Sequence, residues 1–352
     1  MSDFNFHVKP IGLFDMLYFK KMVPARQKAL ACGSAEAVSA VRAANRLAER
    51  LHPKVQKLKI ADVIEHGESA KTFVLTGEKL APFRAGQYLS VQLKIGSSVL
   101  TRPYSLSSSP AWAYEGKYAL TIKRAQDGFA SEWILDNWKA GGEVVTSGPE
   151  GEFYYEPLRD SAHVIGLAGG CGITPFLSMA YAIRDGIENF RLTLLYGSRK
   201  ECDILYKTEL DKIAKETDKV KIVHVLSDEQ KEGFEYGFIT AERIAQACGG
   251  ESCSVFLCGP AAMYAFVDRE LEKLKLERKY IRHELYPAPA SPKELQGYPG
   301  DPSAHYTLSV LQYGETKQIP MAACETVLVA LERAGIAAPS RCRGGECGWC
   351  RS

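Results

Sequence analysis

The stretch His163-Val-Ile-Gly-Leu-Ala-Gly169-Gly170-Cys171-Gly172-Ile-Thr174-Pro175-Phe176-Leu177-Ser178-Met179 decides how this chain folds. A short apolar run, His163 to Leu167, ends in a glycine-rich turn, and a helical pattern begins at once after it. Thr174 is a good N-cap and Pro175 a good first helical residue. Glycines at such a turn let the backbone come close to a dinucleotide pyrophosphate at a helix start. The spacing is not Gly-x-Gly-x-x-Gly, and a glycine-rich turn alone is a weak signal. The strand before it and the capped helix after it strengthen the reading.

Outward from this turn, three more apolar strands follow: Leu192 to Tyr196, Ile222 to Leu226, and Val255 to Cys258. Helical segments such as Glu209 to Lys215 and Ala241 to Ala247 lie between them. Alternating strands and helices predict βαβ units and a parallel sheet over residues 158–287. Ligands of open α/β sheets sit at the carboxyl ends of strands. Two further segments end strands there: Tyr196-Gly197-Ser198-Arg199, and Cys258-Gly259-Pro260 with Met263 after it. For Cys258 the plainer reading is a buried structural thiol.

Upstream, over residues 54–157, short alternating runs are broken by Gly and Pro, as in 72–75, 88–93 and 118–122. They read as strands of a small antiparallel barrel. This region carries Arg102-Pro103-Tyr104-Ser105, then Ile122-Lys123-Arg124, then Gly128-Phe129-Ala130-Ser131 before an expected helix over 132–138. An Arg fork suits a pyrophosphate, and a Tyr ring suits a flat isoalloxazine face. A Ser hydroxyl can hydrogen-bond the flavin N5. Gly128 permits close backbone approach, and the following helix N-terminus favours a phosphate. Alone, Arg-Pro-Tyr-Ser is a surface turn. Joined to the second element and to Gly148-Pro149-Glu150-Gly151-Glu152-Phe153, it is poorly explained by chance.

Downstream, a Pro-rich stretch over 288–303 reads as a linker. Residues 304–352 hold an expected strand over 306–311, a helix over 326–331, and Cys342, Cys347 and Cys350 in the spacing C-x₄-C-x₂-C. That is the plant-type [2Fe–2S] spacing, whereas zinc sites more often show paired Cys-x₂-Cys or Cys/His sets. The sequence ends two residues after Cys350. The fourth thiolate is therefore missing, and Cys324, ahead of the helix, is a poor substitute. Two explanations compete, a shortened form of a longer protein and a lost cluster, and the expectation is the shortened form, because half a ferredoxin fold should not stand alone.

Taken together, Arg102-Pro-Tyr-Ser105, Gly128 to Ser131, Gly148-Pro149 and the Gly-Gly-x-Gly-x-Thr-Pro turn resemble the ferredoxin–NADP⁺ reductase superfamily, over roughly residues 55–352. The C-terminal part resembles the first half of a plant-type ferredoxin domain. The resemblance implies that Arg102, Tyr104, Ser105, Ile122, Lys123, Gly128, Ala130 and Ser131 hold flavin. It implies that Gly169, Gly170, Gly172, Thr174, Pro175, Ser198, Arg199, Gly259, Pro260 and Met263 hold the nicotinamide nucleotide. It sets Cys258 and Ser105 at the site of hydride transfer. The run 102–110 and the Lys123-Arg124 step look like the members that bind FAD rather than FMN. NADPH members carry a basic residue where this chain has Asp228, after Ser227. Asp228 would repel a 2′-phosphate and accept a bond from a ribose hydroxyl, which favours NADH. Arg199 offers a nearby cation as a counterweight.

The expected architecture is multidomain: an N-terminal helical extension (1–53), an antiparallel β-barrel flavin domain (54–157), an α/β parallel-sheet NAD domain (158–287), a linker, and a partial β-grasp ferredoxin-like domain (304–352). The net charge of +2 among 352 residues gives no support for nucleic-acid binding. No apolar run reaches about eighteen residues, and no secretory signal is read at the start. Ten cysteines in a chain this long suit a cytoplasmic protein with one metal cluster better than a set of disulfides. Residues 1–60 are basic, with eleven Lys/Arg against four Asp/Glu. The N-terminal zone is expected to pack or to dock on a partner, with membrane contact limited to 11–28. The function that follows is electron flow from NADH to FAD to [2Fe–2S] to an acceptor protein such as an oxygenase or reductase component. Two alternatives are the reverse flow toward NAD⁺ within a larger complex, and a non-catalytic interaction subunit with idle cofactor sites.

Overall fold

The computed structural model describes residues 12–33, 42–125, 128–284, 298, 300–301, 303–341, 343 and 350. The chain forms two compact units, residues 1–47 and 48–352. The first is built on helix α1 (Leu13–Ala31), whose described side chains are all exposed, Phe14 and Tyr18 included. Helix α2 (Ala43–Leu51) follows, within the helical extension expected over 1–53; residues 34–41 of that extension lie outside the described residues. Among the described residues no helix is long and apolar enough to cross a membrane.

The second unit opens with strands β1 (Gln56–His66), β2 (Ala70–Thr76), β3 (Tyr88–Ile95), β4 (Ser98–Ser105), β5 (Lys117–Lys123) and β6 (Glu143–Thr146). Every pairing among them is antiparallel, in the order β4-β3-β6-β1-β2-β5. A bridge between Leu106 and Leu120 brings the two edge strands together, giving the barrel expected from the short alternating runs. Alternation explains the core: Leu58, Ile60, Phe73, Leu75, Leu89, Val91, Leu120 and Ile122 point inward. Helix α3 (Ala111–Tyr114) is short, and α4 (Phe129–Asn137) adds Ile134 and Leu135 to this core.

Next come β7 (His163–Gly169), α5 (Thr174–Arg184), β8 (Arg191–Ser198), α6 (Lys207–Glu216), β9 (Val220–Leu226), β10 (Glu235–Tyr236), α7 (Ala241–Cys248), β11 (Ser254–Cys258), α8 (Ala261–Leu274) and β12 (Ile281–His283). The sheet is parallel, in the order β10-β9-β8-β7-β11-β12. Both faces are covered, which is why the strands read as continuous apolar runs. Val164, Leu192, Leu194 and Tyr196 pack with Phe176 and Leu210 from α5 and α6. Ile165, Leu167, Val255 and Leu257 pack with Ile244 and Val267 from α7 and α8. The order reverses at β7, with β8 on one side and β11 on the other, which opens a crevice at the strand ends. Cys248 and Cys253 form a disulfide between α7 and β11, so not every cysteine outside the C-terminal group is a free thiol.

The barrel and the parallel sheet are tied by polar contacts. Tyr206, at the entry to α6, has a left-handed backbone (φ 61°), uncommon for a residue with a side chain. Its hydroxyl shares hydrogen bonds with Thr72 and Thr121 of the barrel, and Thr72 also bonds His66 Nε2 at 2.7 Å. Ser109 Oγ donates to Asp185 at 2.5 Å, and Ser178 Oγ donates to the Ser108 carbonyl at 2.8 Å.

The C-terminal part has β13 (His305–Gln312), β14 (Glu315–Ala322) and α9 (Val327–Arg333). Strand β14 was not expected from the sequence. Tyr313 and Gly314 both take positive φ (52° and 85°), the geometry of a two-residue hairpin turn. Thr326 caps α9, its Oγ1 accepting from Val329 N at 3.2 Å. The stretch 288–303 lies largely outside the described residues, and no linker conformation is assigned to it.

Gly86 sits where the barrel meets the sheet domain, with φ 105° and an ideal Cβ position 1.9 Å from the Phe153 carbonyl oxygen. Gly86→Ala is expected to cost about 2–4 kcal/mol, from strain plus displaced backbone. Urea unfolding of wild type and variant measures it; equal midpoints would contradict the packing described.

Candidate functional site

A cavity of about 1100 Å³ opens where the carboxyl ends of the parallel strands face the barrel. The barrel contributes Tyr104 and Ser105 from the end of β4, and Thr121 and Lys123 from the end of β5, with Arg124 after it. The sheet contributes the β7–α5 turn with Gly169, Gly170, Gly172 and Thr174. Ser198 and Arg199 follow β8, and Cys258, Gly259, Pro260 and Met263 follow β11. All of these except Thr121 were named in reading the sequence, Arg124 as part of the Lys123-Arg124 step.

The turn leaves no room for side chains. A Cβ on Gly172 would lie 2.2 Å from the Cys258 carbonyl oxygen, and one on Gly169 would lie 2.4 Å from Met263 Sδ. Gly170 has φ 52° with open space around it. Backbone is thus presented bare to the cavity, as a pyrophosphate requires. The start of the helix differs from expectation. A 3₁₀ turn, Gly170–Ile173, comes first, and Thr174 is already helical. Thr174 Oγ1 donates to the Cys171 carbonyl at 3.2 Å instead of capping, and Pro175 is buried inside the first turn of α5. The glycines tighten the chain one turn earlier than the Thr-Pro pair suggests.

At the junction of the two walls lies a carboxyl that sequence reading missed. Glu284, just after β12, accepts from Ser105 Oγ at 2.5 Å and from Cys258 Sγ at 2.5 Å, one oxygen to each. The barrel's Ser and the sheet's Cys are therefore joined through one buried group. Burial pushes the Glu284 carboxyl above the usual carboxylate range, with the two donors pulling it partly back. Burial, then the Glu284 carboxyl, pushes the Cys258 thiol well above its ordinary value. The neighbouring Cys171 thiol is pushed up to about 11 by burial. Burial also raises the Tyr104 phenol. Glu284 ends the charged run Glu277-Arg-Lys-Tyr-Ile-Arg-His-Glu284, behind a strand of only three residues, so nothing local marks it.

Other singled-out residues lie elsewhere. Ile122 is in the barrel core, so only its main chain is open to a ligand. Ala130 is likewise buried in that core. Gly128 caps α4, and Ser131 Oγ donates back to the Gly128 carbonyl at 3.1 Å and accepts from Ala125 N at 3.2 Å. Asp228 does not line the cavity: its carboxylate accepts from Ser227 Oγ at 2.5 Å, while Ser227 and Asp203 do line it. Arg102 lies beside Tyr104's neighbour Pro103 on β4 but bonds Glu332 of α9. Burial, then the Arg343 cation, lowers the Arg102 guanidinium, and Glu332 opposes them. Cys350 is exposed as a free thiol, while Cys342 and Cys347 lie outside the described residues.

The residues present fit a flavin and a nicotinamide nucleotide. Ser198 lines the cavity with its Oγ buried close to the Tyr196 hydroxyl, a polar group that a nucleotide could engage. Lys123 and Arg124 supply cations where phosphates would sit, and the bare glycine turn supplies the second cradle.

Three domain families match the chain. The oxidoreductase FAD-binding domain matches residues 57–155, the oxidoreductase NAD-binding domain 167–269, and the 2Fe-2S iron-sulfur cluster binding domain 310–352. The ferredoxin reductase component of a 3-ketosteroid-9-alpha-monooxygenase from Mycolicibacterium smegmatis is 30% identical over 321 residues, 86% of each chain. The chain belongs to the ferredoxin–NADP⁺ reductase superfamily. It is an oxidoreductase of the ferredoxin reductase type with FAD-binding, NAD-binding and 2Fe-2S domains, as its motifs implied. An NADH oxidoreductase (HCR) of Escherichia coli is 26% identical over 296 residues, covering 84% of this chain and 85% of that one. Among solved structures, phthalate dioxygenase reductase, described as a modular structure for electron transfer from pyridine nucleotides to [2Fe–2S], superposes with TM-score 0.62 at 26% identity. It covers 84% of this chain and 85% of its own.

The raised pKa of Glu284 has a consequence for stability. Burying Glu284 costs less when it is protonated, so the favourable contribution is full below the ordinary carboxylate pKa and is lost as pH rises through its raised folded value. Relative to Glu284→Gln, wild type is expected to lose unfolding free energy across that window and to run parallel on either side of it. Urea unfolding at a series of pH values checks this. Two curves parallel throughout would show that Glu284 titrates normally.

Proposed function

We propose that this chain takes a hydride from NADH and passes the electrons, through FAD and a [2Fe–2S] centre, to an oxygenase component in the cytoplasm. The observation that carries this reading is the Glu284 carboxyl shared by Ser105 and Cys258, because it puts one residue of each nucleotide domain at a single point. The flavin supplies the conversion between two-electron and one-electron chemistry, and the protein supplies binding, orientation and electrostatics.

In this proposal Tyr104 offers its ring to the isoalloxazine, and Ser105 a hydroxyl near the reacting nitrogen. Lys123, Arg124 and the N-terminus of α4, with Gly128, Ala130 and Ser131, meet the phosphates. The main chain at Ile122 and the Arg102 fork complete the flavin side. Gly169, Gly170 and Gly172 seat the nicotinamide nucleotide's pyrophosphate above Thr174 and Pro175. Ser198 and Arg199 hold its ribose side, and Gly259, Pro260 and Met263 wall the nicotinamide side. Cys258 stays a neutral thiol because burial and Glu284 raise its pKa, so its S–H remains a donor to Glu284. Glu284 orients both the hydroxyl and the thiol. Three thiolates, Cys342, Cys347 and Cys350, have the donor chemistry of an iron–sulfur ligand set.

NADH is favoured over NADPH because Asp203 lies on the cavity wall and Asp228 close behind Ser227, where a 2′-phosphate would meet negative charge. An oxygenase component as acceptor is supported by relatives that are reductase components of a 3-ketosteroid-9-alpha-monooxygenase and of glycine betaine monooxygenase. The domains assigned are 54–157 for FAD, 158–287 for NAD and 304–352 for the cluster.

Recombinant protein supplied with FAD under argon is expected to retain yellow flavin through desalting and to bleach on adding NADH. Its kcat/KM is expected to be about tenfold or more higher with NADH than with NADPH. Flavin lost on desalting, or retained but unbleached, would defeat the proposal. Equal or better use of NADPH would overturn the assignment of Asp203 and Asp228 alone.

A further inference from the structure

Glu332 is the most buried carboxylate at the contact between the C-terminal part and the barrel, its side chain 4% exposed. Two arginines share it. Arg343, next to Cys342, donates to both of its oxygens, at 2.5 and 3.0 Å. Arg102 of β4 donates to both from Nη1 alone, at 3.0 and 3.1 Å, and from the same nitrogen to the Thr101 carbonyl at 2.9 Å. Thr101 N adds a bond to Oε1 at 3.3 Å. The end of α9 closes on the same place: a Cβ on Gly335 would lie 2.8 Å from the Ser97 carbonyl oxygen.

The arrangement divides Arg102 in two. Nη1 is committed to Glu332, while Nε and Nη2 have no hydrogen-bond partner among the described residues. A guanidinium donates five hydrogen bonds in a rigid fork, so one edge can be held while another grips a phosphate in bidentate fashion. Arg102 and Tyr104, two apart on β4, lie on one strand face, and Tyr104 lines the cavity. Charge balance agrees. One carboxylate faces two guanidinium groups, which leaves a net positive charge for an anion to complement.

We propose that Glu332 is a positioning residue for the flavin: it holds Arg102 by Nη1 so that the remaining edge meets the flavin pyrophosphate, and it thereby couples flavin binding to docking of α9 on β4. This rests on reading the barrel as the FAD site. Fixing the fork beforehand removes the side-chain ordering cost at binding. The coupling is reciprocal, so bound FAD also steadies the docked C-terminal part.

The test is FAD affinity of the full-length apoprotein, followed by quenching of flavin fluorescence. Glu332→Gln is expected to raise the FAD Kd about tenfold, within the usual range of coupling between sites. In an Arg102→Gln background the same change is expected to have no further effect, which a merely structural role for Glu332 would not produce. Should Glu332→Gln fail to fold because two buried cations lose their partner, Glu332→Gln combined with Arg343→Gln removes the excess charge and is held to the same tenfold criterion. A folded Glu332→Gln protein whose Kd lies within twofold of wild type, or effects that multiply in the double variant, overturns the inference. Wild type that binds no FAD overturns the barrel reading and this inference with it.

Discussion

One buried carboxyl holds the candidate site together. Glu284 accepts a hydrogen bond from a hydroxyl of the barrel and one from a thiol of the parallel sheet, 2.5 Å to each side. Burial makes that carboxyl costly to ionise, and its two donors offset part of the cost. Its two donors come from Ser105 and Cys258, residues 153 positions apart in sequence order. The contact therefore exists only if both domains are folded and set at one angle. The Tyr206 hydroxyl between Thr72 and Thr121, and the Ser109 contact to Asp185, are further polar ties between the two domains.

Around this point the backbone does most of the shaping. Gly172 is pressed against the Cys258 carbonyl and Gly169 against Met263, so the β7–α5 turn meets the cavity as bare amide groups. Cations stand at the opposite wall, on Lys123 and Arg124. A neutral centre between a cationic wall and a bare glycine turn is the charge pattern that two stacked nucleotides would need. The C-terminal part meets this arrangement through Arg102, whose Nη1 bonds Glu332 while Nε and Nη2 have no hydrogen-bond partner among the described residues.

Much of this was legible in the sequence, for definite reasons. The parallel strands are buried on both faces, so β7, β8 and β11 stand out as unbroken apolar runs. The barrel strands alternate, and the glycine turn lies between a strand and a helix, where its meaning is narrow. Contacts made by distant residues were not legible. Glu284 sits in a run of charges that resembles a solvated surface. Glu332 looks like any helical glutamate until β4 closes over it. Asp228 was placed by motif spacing, yet it turns to Ser227 and leaves the cavity wall to Asp203. Thr174 has the composition of a cap, but a 3₁₀ turn takes that position first. Strand β14 carries Pro320 and alternates weakly, because its hairpin buries little more than Ile319.

The most direct test of the shared carboxyl is a double-mutant cycle on the rate at which NADH bleaches the bound flavin, followed by rapid mixing under argon. Ser105→Ala and Cys258→Ala are each expected to slow bleaching by about tenfold or more. The double variant is expected to be much less impaired than the product of the two, because both act through Glu284. Single variants as fast as wild type, or effects that simply multiply, would mean that the two side chains do not work through one group.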